Sequence, residues 1–268
     1  MLTMRRYVLA ALALGALAVF AAVLHSSGDM QVVTTEPLNA PAHPTPPSAA
    51  TETVAPIALV PPMKTVPTAA SLTIDDVMAA QHSNDPGAVD TMIEGLGSTD
   101  AVVVAESANG LVGRGALSAL PVLEEMDIAS RPWAAPSAIY AMGALAAKAS
   151  PDQRAETVDR LLALLASEKQ RAATDALANL LQIYQALGQS GDARAIGPLV
   201  AELTDASVAT APKVVVVQAL VALNARDSKP ALEKLRDQLA PQAVGSDFEA
   251  ELRRDLIAAI SDALERLA

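Results

Sequence analysis

Cysteine is absent from the 268 residues, which excludes disulfides, thiol catalysis, a lipid-modified N-terminal Cys and Cys-ligated zinc or iron–sulfur centres. Histidine is nearly absent too, with only His25, His43 and His82. His82 stands alone at a predicted helix end, where a cationic imidazole suits the helix dipole, so no serine–histidine–acid arrangement can be built around it. Phosphate-binding glycine loops of the G-x-x-x-x-G-K type and Ca²⁺ loops are also missing. The expectation is a protein that is not an enzyme and needs no cofactor or metal. Asp75-Asp76, Glu124-Glu125 and Asp152 could formally supply a carboxylate pair, but adjacent acids on exposed helices are ordinarily solvated surface. Positive charge is in short supply: Lys and Arg number 19 against 30 Asp and Glu, a net charge of −11. That balance argues against a nucleic-acid or anionic-membrane ligand and for a partner that is basic.

Aromatics are 2% of the chain, whereas 51% is hydrophobic, mostly Ala, Leu and Val. This composition favours closely packed small-residue helices over a β-sandwich. An all-α fold with almost no strand is expected.

The composition divides the chain into three. In residues 1–27, Arg5 and Arg6 precede an uncharged run over 7–24, about 27 Å of helix at ~1.5 Å per residue. A cleaved signal has a shorter apolar region of about 7 to 15 residues and a small-x-small site; here Val19-Phe20-Ala21 falls inside the run and Ser26-Ser27-Gly28 is a mediocre match. The reading favoured is an uncleaved signal anchor, a single transmembrane helix with its N-terminus cytoplasmic and the rest beyond the inner membrane, in the periplasm of a bacterium. The alternative is a cleaved, secreted form. Arg5-Arg6-Tyr7-Val8-Leu9 resembles a twin-arginine core, but Met4 replaces the usual polar residue; Ala11 and Gly15 form a small-xxx-small pair that chance explains in so alanine-rich a run. Residues 28–71 form a Pro/Thr/Ala-rich linker expected to be disordered, with nine of the 18 prolines between Gln31 and Ser71 and only Glu36, Glu52 and Lys64 charged there. Fully stretched it reaches on the order of 100 Å. Its apolar island Ile57-Ala58-Leu59-Val60 reads as linker, or as a docking peptide.

From 72 to 268 the breakers are regularly spaced and apolar residues fall into helical period. The pattern predicts helices over 73–82 with 86–96, 99–112 with 116–127, 136–149 with 151–167, 169–187 with 193–204, 211–225 with 228–239, and a final 247–267. Asp85-Pro86 and Ser150-Pro151 place a capping oxygen before a proline at the first helical position, Ser150 with Gln153 and Ser246 with Glu249 read as capping boxes, and Asp192 caps the helix it precedes. Val102–Val104 and Val214–Val217 have strand propensity, but the second run continues into the helical pattern Gln218-Ala219-Leu220-Val221-Ala222-Leu223, so both are assigned to helices.

Residues Gly188 to Leu203 carry the clearest motif: a helix ending at glycine, a tight turn with Asp192, then Ile196, Leu199, Val200 and Leu203 at i, i+3, i+4, i+7. This predicts Leu199 in the groove between hairpins and Glu202 pointing outward. Aligning the second helices on their first core residue gives Val89, Ala119, Val158, Ile196 and Leu232, separated by 30, 39, 38 and 36 residues. Each of the first four starts a stripe (Met92, Ile93, Leu96; Val122, Leu123, Met126; Leu161, Leu162, Leu165; Leu199, Val200, Leu203). The fifth slips, with Arg236 in the fourth place, and Ala176-Leu177 and Ala219-Leu220 are matched as equivalent first-helix pairs. The pattern A-L-G-x-x-G-D-x-R-A-I-x-P-L-V-x-x-L resembles the bacterial HEAT-repeat (PBS-lyase-type) family, clearly over 169–239 and in degenerate form over 73–165. The resemblance implies an α-solenoid of about five αα-hairpins with a C-terminal capping helix, acting as a protein-binding scaffold or adaptor. Some HEAT-like proteins are lyases, so a lyase-like enzyme is the alternative from another class. The metal-binding His-Glu pairs of the iron-dependent hydroxylases of that family are absent.

Between Leu72 and Asp127 ten acids (Asp75, Asp76, Asp85, Asp90, Glu94, Asp100, Glu106, Glu124, Glu125, Asp127) face one base, Arg114, while from Ile128 onward 17 acids face 15 bases. The acidic half is either a well-solvated terminal cap or a docking surface for a basic protein. On the second reading Asp90, Glu94, Glu124 and Glu125 are the candidate contacts, on second helices and outside the apolar stripe. Trp133, in the irregular stretch 128–135, is a binding anchor or a cover over the core.

Overall fold

The computed structural model describes residues 72–171 and 173–268. The uncharged run over 7–24 expected to be an anchor, the proline-rich stretch and the Ile57–Val60 island lie outside them. The described residues are all-α, with eleven helices and no strand: α1 (Ile74–His82), α2 (Ala88–Gly95), α3 (Ala101–Arg114), α4 (Leu120–Glu125), α5 (Ala135–Ala146), α6 (Pro151–Glu168), α7 (Ala173–Ser190), α8 (Ile196–Thr204), α9 (Thr210–Ala222), α10 (Lys229–Leu239) and α11 (Phe248–Arg266). Both valine runs are helical, with Val103, Val104, Val216 and Val217 buried. Tertiary burial overrides their propensity. Among these residues no helix is long and apolar enough to cross a membrane.

Odd-numbered helices pack in a row, α1 on α3, then α5, α7, α9 and α11, and each even helix packs on the odd one that follows it. Small residues allow close approach. A Cβ on Gly143 of α5 would lie 2.5 Å from Ala186 Cα on α7, and one on Gly188 would lie 2.7 Å from Ala219 Cα on α9. Here the alanine-rich composition acts directly, because backbones in van der Waals contact leave few voids.

Three connections are built alike. Gly115, Gly191 and Asn224 take left-handed φ values of 63°, 71° and 49°, which end the preceding helix. Two residues later a 3₁₀ turn begins, at Leu117, Ala193 and Arg226, and five residues later an α-helix, at Leu120, Ile196 and Lys229. This shared geometry sets a common register. Leu111, Leu187 and Leu220, four residues before the left-handed residue, are 0% exposed, as are Leu123, Leu199 and Leu232, eight residues after it. The register corrects the sequence alignment: Leu232 matches Leu199 and not Ile196, and Ala219-Leu220 matches Ala186-Leu187 and not Ala176-Leu177. Leu177 is accordingly exposed. Val122, assigned to the apolar stripe, is also exposed, because the 3₁₀ turn rotates α4 relative to a continuous helix starting at 116.

The predicted capping box of Ser150 and Gln153 is formed, and Asp192 accepts from Arg194 N at 2.9 Å. Two caps differ from expectation. Asp85 bonds Gly87 N, but α2 starts only at Ala88, after a turn through Pro86. Asp247 rather than Ser246 caps α11, accepting from Ala250 N, because Gly245 at φ 134° brings the chain in one residue later.

Hydrogen bonds also cross from one hairpin to the next at a recurrent spacing. Arg114 reaches the carbonyls of Ala80, Gln81 and Ser83, Arg131 that of Ser98, Lys148 that of Val112 and Arg160 that of Met126, all between partners 31 to 36 residues apart. Cations thus meet carbonyls at or just beyond helix C-termini, where the helix dipole favours positive charge.

An acidic surface and a buried polar cluster

Asp90 and Glu94 lie exposed on α2 and Glu125 exposed on α4. Glu124 is half-buried: its Oε1 lies 2.6 Å from the hydroxyl of Thr157 on α6, which is fully buried. The expectation that all four could change charge freely is therefore corrected for Glu124. Every ion pair among the described residues lies between Asp159 and Arg266, and Arg114, the one base of the acidic half, donates to backbone carbonyls. The acids of 72–127 are in none of these pairs, although Arg160 acts electrostatically on Asp127. Asp76 closes the capping box of α1 with Thr73, whose hydroxyl and amide hold its carboxyl below the ordinary value. Asp127 is held low in the same way by Ser130. Asp75 and Asp152 stand exposed in first turns, where acids suit the helix dipole.

Trp133 is 40% exposed and is not among the residues of the buried core cluster. Its loop is nevertheless built firmly. Buried Ile128 and Ala134 pin the loop on either side, Ser130 bonds Asp127, and the Arg131 guanidinium, tied to the Ser98 carbonyl, lies 5.0 Å from the indole centroid, a cation–π distance.

A second feature was misread from sequence. Glu202, expected to point outward, is 6% exposed. Its Oε1 lies 2.7 Å from Lys169 Nζ, and its Oε2 accepts from the Tyr184 hydroxyl at 2.9 Å. Lys169 also reaches Asp205 Oδ2 at 3.1 Å, and Lys213 of α9, 8% exposed, lies in the field of both acids. The hydrogen bond to Glu202 raises the Lys169 pKa, and burial first, then Glu202, pushes the Tyr184 phenol up. Burial lowers the Lys213 amine against the pull of Asp205 and Glu202. Ser207 donors, then Lys169, hold the Asp205 carboxyl at about 2.

The turn register explains the cluster. Eleven residues after the left-handed residue stand Met126, Glu202 and Leu235, all buried; seven before it stand Ala108, Tyr184 and Val217; eleven before it stand Val104, Leu180 and Lys213. Glu202, Tyr184 and Lys213 thus occupy places that sibling hairpins fill with apolar side chains. A buried carboxylate there persists only with its partners supplied. The sequence did carry the signal, since aligning Gly191 with Asn224 pairs Glu202 with Leu235.

Among the described residues no three His, Asp or Glu side chains converge to hold a metal. A hollow of about 90 Å³ lined by Thr204, Ala231, Lys234, Leu235 and Gln238 lies between α8 and α10. No protein-family model, curated protein or solved structure matches the chain.

Proposed function

We propose that the chain is a HEAT-like α-solenoid of five hairpins and a capping helix that works by binding rather than catalysis, as a protein-interaction scaffold tethered to a bacterial inner membrane with its helical domain in the periplasm. The observation that carries this reading is the recurrent hairpin geometry: the same left-handed residue, 3₁₀ turn and buried leucines, with cross-hairpin bonds 31 to 36 residues apart. Such units bury their apolar faces only by stacking, and the stack presents an extended surface. The tether is read from Arg5, Arg6 and the uncharged run over 7–24.

The docking surface is assigned to the acidic half, where no carboxylate is in an ion pair among the described residues, and the partner is accordingly a basic protein. Crosslinked capture from membranes tests this. Reversing Asp90, Glu94 and Glu125 to lysine should weaken recovery of the partner and flatten its salt dependence, while reversing Asp237 and Asp262, which sit in exposed pairs with Arg236 and Arg266, should do neither. Unchanged recovery from the triple variant would reduce the acidic half to a solubilising cap.

A further inference from the structure

Charge is spread unevenly between the two rows of helices. Residues 132–147, 176–191 and 214–225, which hold all of α5 and most of α7 and α9, contain no Asp, Glu, Lys or Arg, whereas α6 and α10 of the other row carry six and five. Core packing does not account for this, because each of the three helices keeps one side outward. On α7 Ala178, Leu181 and Gln185 are exposed or half-buried at i, i+3, i+7, and so are Ala144 on α5 and Val215 and Gln218 on α9. The outward side of a helix ordinarily carries charge. Here amides and aliphatic groups take its place.

The three outward sides form one continuous face. α7 packs on both α5 and α9, at backbone distance where Gly143 meets Ala186 and Gly188 meets Ala219. The helices have 12, 18 and 13 residues. At ~1.5 Å rise per residue and spacings of roughly 8 to 10 Å, they cover about 500 to 650 Å² in projection. Side-chain relief raises the accessible area above the projection, toward the ~800 Å² that each partner of a specific complex buries.

We propose that this uncharged face pairs with the same face of a second copy, about a two-fold axis passing near Gln185 of α7, the middle helix. Two-fold pairing sets a patch against itself, so a patch of one sign is repelled and an uncharged one is not. Each copy carries a net charge of −11, which favours approach through a face that brings no like charges together. Glutamine suits such a contact, since one amide both donates and accepts and therefore complements its own copy. Leu181 and Val215 supply the apolar part. Asp90, Glu94 and Glu125 lie on even-numbered helices and stay outside the contact.

The chain has no cysteine, so a single introduced one reports a single contact. Full-length Gln185→Cys, oxidised in membranes, should form a disulfide-linked product of twice the chain's mass, and full-length Ala163→Cys, exposed on α6, should not. Adding Ala178→Glu, at an exposed position, to Gln185→Cys should lower that product at least about tenfold, because it places an unpaired carboxylate from each copy in the contact. A Gln185→Cys chain that stays monomeric, a product of any other mass, or no loss with Ala178→Glu overturns the proposal. Equal crosslinking of Ala163→Cys does so too, since it would assign the pairing to residues that both variants share, such as 1–27. None of these results bears on partner capture by Asp90, Glu94 and Glu125, so the two readings fail separately.

Discussion

Met126 after α4 and Glu202 on α8 hold the same place, eleven residues beyond the left-handed residue of their hairpins, and both are buried. In the first of the two a thioether fills the space, and Glu125 and Asp127 stand exposed, in no ion pair among the described residues. In the second an acid fills it and is met by Lys169, Tyr184 and a neighbouring Lys213. One backbone register thus accommodates two solutions, differing in whether negative charge is left to solvent or brought inside with its counter-charges. The difference separates roles: uncompensated surface charge acts at a distance on partners, whereas a compensated buried cluster holds neighbouring helices in one arrangement.

The largest effects should come from what the two hairpins share. Leu123→Ala and Leu199→Ala should each cost about 2 to 5 kcal/mol in urea denaturation, because each empties a fully buried leucine site. A negligible cost at Leu199 beside a large one at Leu123 would break the common register.

The next effect distinguishes them. Glu202→Ala should cost about 1 to 3 kcal/mol, since it strips buried Tyr184 of its acceptor and leaves Lys169 only Asp205. Combining Glu202→Leu with Lys169→Met and Tyr184→Phe should recover much of that loss, because no partner of the carboxylate is then left buried and unpaired and the site resembles its sibling at Leu235 and Val217. A triple variant as unstable as Glu202→Ala would show that the cluster is indispensable to the packing.

Acid should act on the second hairpin through Asp205. Its folded carboxyl titrates at about 2 against an ordinary 3.8, so the folded state binds fewer protons in that window. The stabilisation is fully present above pH 3.8 and is lost as pH falls toward about 2. In Asp205→Asn this part of the acid dependence should vanish from urea midpoints measured across the window; an unchanged slope would assign the acid loss to other carboxylates.

The smallest effect belongs to the acidic surface. Reversing Asp90, Glu94 and Glu125 to lysine should change stability by no more than about 0.5 kcal/mol per site, whereas adding Glu124→Lys should cost more because it breaks the bond between a half-buried carboxylate and the buried Thr157 hydroxyl, which keeps only the Gln153 carbonyl. Thermal melts of the triple and quadruple variants, compared directly, check this.

The order of helices was legible because its causes are local. Periodicity over 72–268, the Ser150–Gln153 box, the Asp192 cap and the breakers between runs act over a few residues, and even Val214–Val217 could be placed once the following six residues were weighed. Alignment between hairpins was less legible. Matching the first apolar residue of each helix put Leu232 beside Ile196 and left Arg236 as an anomaly, because the 3₁₀ turn before the helix does not show in the apolar pattern. The repeated left-handed residue would have supplied the register, had Asn224 been recognised as equivalent to glycine in that conformation.

Helix identity and approximate bounds therefore followed from the chain alone, since backbone hydrogen bonding, capping and period are properties of neighbours in sequence. Which face of each helix meets a neighbour was settled only by the packed structure. Exposure of Trp133 and Val122 and burial of Glu202 depend on rotations of tens of degrees about a helix axis, set jointly by the turns, by the backbone contacts at Gly143 and Gly188, and by whether Lys169 and Tyr184 arrive where a buried carboxylate needs them.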